Sequence, residues 1–316
     1  MNHHQKHLSA CLIALAALLS PMQGAWAANA PSLGTASNFA VLSAAPIAGG
    51  AVTCTTSTIN GDVGSSGPMA SVVQTGCTIN GAVIAPISAQ VITDFNNAYG
   101  QYAAIPCTGT LNAAYTGAAL TLTPGVYCSD AAVTFTDSTL TLDGQGNANA
   151  TWIFKIGTLG TGALTGTNFS VIMAGSAQPC NVTWWVAEAA TMTTTTATTS
   201  GFQGNILAGA AITVTGLAGT PTTTTFNGDV LAKAAVTLTD VIVTGCTARG
   251  GKDNDHDGDN EGHHHGHDKD HAKCNQGVGN GPEGCDPGNS NLHNPFGSND
   301  ENGGTPGNPG RKGGNN

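Results

Sequence analysis

The chain has 316 residues, 44 of them glycine, with only 9% charged residues and a formal net charge of −10. Nine basic residues stand against nineteen acidic ones, so there is no basic patch for nucleic acid or an anionic membrane to recognise. Residues 31–248 carry just two lysines (Lys155, Lys233) and eight acids, far below the roughly one-quarter charged content of an ordinary domain.

At the amino terminus, Lys6 precedes an apolar run from Cys11 to Leu19, and Ala25, Trp26 and Ala27 form a small-x-small cleavage site. Residues 1–27 read as a secretory signal peptide, since that run is much shorter than the roughly 20 residues of a spanning helix. No second run reaches that length, so the expected product is exported and extracellular, with its body at 28–248. Beyond Cys11, eight cysteines remain: Cys54, Cys77, Cys107, Cys128, Cys180, Cys246, Cys274 and Cys285. In an oxidising compartment an even number without zinc-site spacing indicates disulfides. Sequence alone leaves the connectivity open. Proximity along the chain suggests Cys54 with Cys77, Cys107 with Cys128, and Cys274 with Cys285, which leaves Cys180 for Cys246.

Short β patterns follow. INGDV at 59–63 returns as INGAV at 79–83. The segment 88–104 differs, because Val91, Ile92, Phe95, Ala98, Tyr99 and Tyr102 follow the 3, 4, 7 spacing of an amphipathic helix. Ser88 is placed to cap its start and Pro106 limits its end. The heptapeptide AAVTFTD at 131–137 reappears as AAITVTG at 210–216 and AAVTLTD at 234–240, and the 15 residues from Phe202 recur at Phe226. Strict alternation of apolar and threonine residues marks half-buried strands, and a fixed period of 20 to 24 residues marks stacked coils. An all-β solenoid is favoured; the alternative is an antiparallel sandwich with coincidental repeats.

LGTASNFAVLSA at 33–44, LTLTPGVY at 120–127, LTLDGQGNANATWIFKIG at 140–157, CNVTWWV at 180–186 and GNILA at 204–208 resemble the secreted ice-binding-like family also labelled DUF3494. The resemblance covers roughly residues 32–248. It implies a discontinuous right-handed β-solenoid of triangular section with one long helix packed alongside, and ice as the partner of one flat face. It also implies that Thr-Ala/Gly-x-Thr/Asn motifs on that face touch ice. TGTN (165–168) and TATT (196–199) match, which nominates Thr165, Thr167, Asn168, Thr196, Thr198 and Thr199. TASN at 35–38 matches too, but it lies in the amino-terminal signature. The repeated strands add Thr213, Thr215, Thr237 and Thr239. The insertion LAGTPTTTTF at 217–226 puts the flatness of that face in question.

Residues 31–248 contain no histidine, so no Ser-His-Asp or Cys-His arrangement can be assembled there; the expectation is a monomeric non-enzyme without a cofactor. Competing readings are a structural or adhesive surface module on the same scaffold and, less directly, a carbohydrate-binding solenoid. From residue 249 the composition turns charged, then rich in glycine, asparagine and proline, which predicts a disordered tail. Within its 249–273 linker, His263, His264, His265, His267 and His271 are candidate ligands for a divalent metal. The stretch 274–316 carries a small cysteine-closed loop and is a candidate attachment to a cell-surface or matrix partner.

Overall fold

The computed structural model describes residues 30–45, 49–196, 200–219 and 224–246, all within the first of two units into which the chain divides at Asp253. The tail histidines, Cys274 and Cys285 lie outside the described residues, as do the proposed signal peptide and Thr198 and Thr199.

Each coil contributes three short strands, one to each side of a triangle. The first coil is β1 (Phe39–Ser43), β2 (Val52–Thr55) and β3 (Thr58–Asn60); the second is β4 (Asp62–Ser65), β5 (Val72–Thr75) and β6 (Thr78–Asn80), followed by β7 (Val83–Ile84). The helix α1 (Ala89–Ala104) comes next. Five further coils follow: β8 (Gly109–Thr110), β9 (Ala114–Thr116), β10 (Ala119–Leu122); β11 (Gly125–Ser129), β12 (Val133–Thr136), β13 (Thr139–Asp143); β14 (Trp152–Ile156), β15 (Leu164–Thr167), β16 (Ser170–Ala174); β17 (Val182–Val186), β18 (Ala190–Thr193), β19 (Ser200–Gln203); and β20 (Asn205–Ala208), β21 (Ile212–Thr215), β22 (Thr224–Asn227). A last coil is β23 (Val230–Ala232), β24 (Val236–Thr239) and β25 (Ile242–Thr244).

Every strand pairing among the described residues is parallel, which rules out the antiparallel sandwich. The first face is ordered β7-β4-β1-β23-β20-β17-β14-β11-β8 and the second β5-β2-β24-β21-β18-β15-β12-β9. The third is divided into β19-β22-β25-β3-β6 and β10-β13-β16. Chain order and spatial order therefore part company. The first two coils stack on the last one, and the chain then crosses by way of α1 to the opposite end.

Parallel register sets equivalent inward side chains on top of one another, and the interior is a set of such ladders. Phe135 stacks between Tyr115 (4.8 Å) and Phe169 (4.1 Å), Phe154 stacks on Trp184 (4.0 Å), and Phe202 on Phe226 (4.9 Å). Large aromatic stacks of this kind favour low twist between consecutive coils. The helix covers the first face. Its Val91, Phe95, Tyr99 and Tyr102 pack with Leu42, Val126, Ile153, Trp185, Leu207 and Leu231, all buried. Ser88 occupies the capping position, but its hydroxyl makes no capping bond; the amino-terminal turn around Thr35 is fastened instead to Asp94, which accepts the Thr35 backbone N–H at 2.9 Å and its hydroxyl at 2.7 Å. Disulfides join Cys54 to Cys77, Cys107 to Cys128 and Cys180 to Cys246.

Candidate functional site

With the first face under the helix and the third divided, the second face is the longest sheet that no other described element covers. Six of its eight strands read small-apolar-Thr-x-Thr. The apolar members (Val52, Val133, Leu164, Ile212, Val236) point inward and are fully buried, so the alternating threonines point out. Register then aligns them into two columns. In the first, Thr53, Thr237, Thr213, Thr191, Thr165 and Thr134 follow one another, between Val73 at one end and Ala114 at the other. In the second, Thr75, Thr55, Thr239, Thr215, Thr193, Thr167, Thr136 and Thr116 run without a break. A third outward row precedes them, made of Ala51, Ala132, Ala163, Ala189, Ala211 and Ala235 in six of the coils. With strands about 4.8 Å apart and same-side residues about 6.6 Å apart, the threonine grid extends over roughly 33 Å along the solenoid.

The backbone beneath the grid is locked. At each corner after the second threonine, the next residue donates its N–H to the second-column threonine carbonyl of the adjoining coil. The series is Gly117 to Thr136, Asp137 to Thr167, Asn168 to Thr193, Thr194 to Thr215, Gly216 to Thr239, Asp240 to Thr55 and Thr56 to Thr75, at 2.8 to 3.1 Å. Five of these corner residues (Thr56, Gly117, Asp137, Asn168, Asp240), and Gly76 after Thr75, are left-handed, with φ between 48° and 60°. At Thr194 and Gly216 the corner widens into a longer loop. Even so, β18, β21 and β24 stay in register. The insertion at 217–226 begins after β21 and leaves the pairing of β18, β21 and β24 unbroken; its residues 220–223 lie outside the described residues.

Thr165, Thr167, Thr213, Thr215, Thr237 and Thr239 all lie on the grid. Asn168 does not: it occupies the left-handed corner, and its side chain is turned onto neighbouring corners, donating to Asp137 Oδ1 at 2.8 Å and accepting the Thr195 N–H at 2.8 Å. Thr196 sits on the bend beyond β18, off the sheet. Thr53, Thr55, Thr75, Thr116, Thr134, Thr136, Thr191 and Thr193 were not singled out by the motif. The heptapeptide at 131–137 already contained two of them, whereas Thr53, Thr55 and Thr75 join the grid only through the stacking of the first coils on the last.

Neither column holds an ionisable group. Of the acids at the edges of this face, three accept corner hydrogen bonds: Glu188 Oε2 takes the Gly162 N–H at 2.9 Å, Asp130 the Thr158 hydroxyl, and Asp137 Oδ1 the Asn168 amide at 2.8 Å. Both lysines of the body serve the helix side. The Lys155 ammonium donates to the carbonyls of Ala103 and Ile105, each at 2.7 Å, closing the carboxyl end of α1; burial lowers its pKa. Lys233 lies 3.8 Å over the Tyr99 ring, whose phenol donates to the Val186 carbonyl at 2.9 Å and is pushed up to about 12 by burial. Asp229, 2% exposed, takes the Cys246 N–H at 2.8 Å at the corner between the third and first faces, and burial raises its pKa to about 7. No group of three or more metal-ligating side chains exists among the described residues, and none of their helices is long and apolar enough to cross a membrane.

Residues 46–244 match the sequence model of the ice-binding-like family. The chain is 34% identical over 211 residues, 65% of its length and 72% of the relative's, to an ice-binding protein of Nostoc sp. strain HG1. Among solved structures, the ice-binding protein of the Antarctic ascomycete Antarctomyces psychrotrophicus superposes with a TM-score of 0.54 at 32% identity, covering 68% of this chain and 98% of that one. The DUF3494 domain of ice-binding protein 1 from Shewanella frigidimarina superposes at 0.53 with 26% identity, covering 68% and 97%.

Proposed function

Because the chain belongs to the ice-binding-like family, we propose that it adsorbs to ice through the second face of its solenoid. The observation that carries this reading is the pair of in-register threonine columns, neither of which holds an ionisable group. Each threonine presents one methyl and one hydroxyl, and its branched Cβ restricts χ1. The methyls keep water from hydrating the surface tightly, while the hydroxyls and the repeating backbone fix positions to which a water layer can hydrogen-bond. Since the protein is already ordered, little side-chain entropy is lost on adsorption. The alanine row adds apolar area without height. Adsorbed molecules pin the growing crystal, so growth and recrystallisation slow; no catalytic step enters.

Export through residues 1–27 fits this reading, because three disulfides in the body belong to an oxidising compartment. Divalent-metal capture by His263, His264, His265, His267 and His271, and attachment to a surface partner through 274–316, are additions that the grid does not require. Thermal hysteresis and recrystallisation assays on the full secreted chain test the proposal. Faceted crystals and a freezing gap are expected; smooth disc-shaped growth at micromolar protein would sink it.

A further inference from the structure

The second face has one mechanical problem. From β9 to β15 its corners are single left-handed residues, and after β18 and β21 they become longer loops. Two junctions result, one between the corners of β15 and β18 and one between those of β21 and β24. The second junction is closed by backbone: a Cβ on Gly216 would stand 1.8 Å from the Asp240 carbonyl oxygen, so only glycine fits. The first is spanned by a side chain. Asn168 Nδ2 donates to Asp137 Oδ1 at 2.8 Å and to the Thr195 hydroxyl at 3.1 Å, while its Oδ1 accepts the backbone N–H groups of Thr195 (2.8 Å) and Thr196 (3.3 Å) and the Thr195 hydroxyl (3.2 Å).

We propose that Asn168 is a positioning residue: its amide ties the narrow corner at Asp137 to the wide corner at Thr195 and so holds Thr167 and Thr193 in line where the corner geometry changes. It makes no ice contact, although it completes the TGTN motif. The inference rests on the second face being the ice surface. Residue type follows from the task. Asparagine tolerates the left-handed backbone at φ 48°, and one amide supplies both a donor for a carboxylate and an acceptor for two N–H groups. Aspartate in its place would face Asp137 with a second carboxylate.

Three variants of the full chain test this. In Asn168→Gly the left-handed corner survives and the amide is gone; protection of the Thr195 and Thr196 amides against hydrogen exchange should fall about tenfold, with reduced thermal hysteresis. Asn168→Asp should lose activity through carboxylate repulsion. The exchange pair Asp137→Asn with Asn168→Asp reverses the donor and acceptor, keeps an oxygen for Thr195 and Thr196, and should recover both activity and protection. If the amide of residue 168 touched ice directly, the exchange pair would remain as impaired as Asn168→Asp alone, and that result overturns the proposal. Unchanged amide protection in Asn168→Gly overturns it as well. A parent chain without any thermal hysteresis would instead refute the ice surface itself, and no variant is needed to see it.

Discussion

The second and third faces are built by the same coils with the same parallel pairing, yet they present different chemistry. On the second, equivalent outward positions repeat threonine through six and eight consecutive strands. On the third, one outward row reads Gly201, Thr225, Ile242, Thr58, Thr78 and its neighbour Gln203, Asn227, Thr244, Asn60, Asn80. The amides of that second row serve the fold: Asn80 Nδ2 donates to Asn60 Oδ1 at 2.8 Å, and Asn60 Nδ2 to the Thr244 hydroxyl at 3.3 Å. A solenoid thus does not by itself make a site. Repetition of one short, stiff, uncharged side chain at every rung does.

The most severe way to break this comparison is a wedge on each face of one coil. Thr213→Tyr, at the centre of the grid, should abolish thermal hysteresis, because a ring standing above a flat surface holds ice away from its neighbours. Thr225→Tyr, on the third face of the same coil, should leave it intact. Both should stay within about 0.5 kcal/mol of parent stability by denaturant titration, since both side chains point outward, away from the core. Equal damage from the two would show that ice does not distinguish these faces.

Next in size is an effect on stability alone. Lys155→Met removes the ammonium that closes α1 and leaves the carbonyls of Ala103 and Ile105 without it, a loss of about 3 kcal/mol. Chemical denaturation should register it, while hysteresis per folded molecule holds steady, since α1 lies on the first face.

Asp229 offers a pH test of the same separation. Its folded pKa of about 7 lies above the ordinary 3.8, so the native state binds the proton more tightly than the unfolded chain. Stability from this group is complete at acid pH and declines as pH rises from about 4 to about 7, by at most about 1.4 kcal/mol per pH unit. Asp229→Asn should flatten that slope. The grid holds nothing that titrates, so ice activity of folded protein should not follow it.

Much of this was legible in the sequence. Alternation in AAITVTG and its copies located the strands and their two sides, the 3, 4, 7 spacing located α1 to within a residue, and low charge pointed to a surface of small polar groups. Two things were not. Neighbours in space were hidden, because β2 pairs with β24 from the far end of the body, and no local pattern announces that Thr53 continues the row of Thr237. The motif also nominated Asn168 and Thr196, which the structure places at a corner and on the bend beyond β18 rather than on the strands. Four residues cover more than the strand, and the corner decides where the fourth one turns: at a left-handed φ the side chain leaves the face that the alternation would assign to it.

The smallest expected effect is the sharpest for the column idea. The first column ends at Ala114, whose partner Thr134 is on the grid and whose strand-mate Thr116 already closes the second column. Ala114 is exposed, so Ala114→Thr adds a hydroxyl and a methyl without disturbing the core and, in a strand, with favourable propensity. If ice binding sums over rungs, one more threonine beside fourteen should raise hysteresis by roughly a tenth, as independent sites usually add. Ile242→Thr on the third face fills a gap in a threonine row too, yet should change nothing. Should Ile242→Thr raise activity and Ala114→Thr not, the working surface would have to be moved to the third face, and the regularity of the second would be a property of the fold alone.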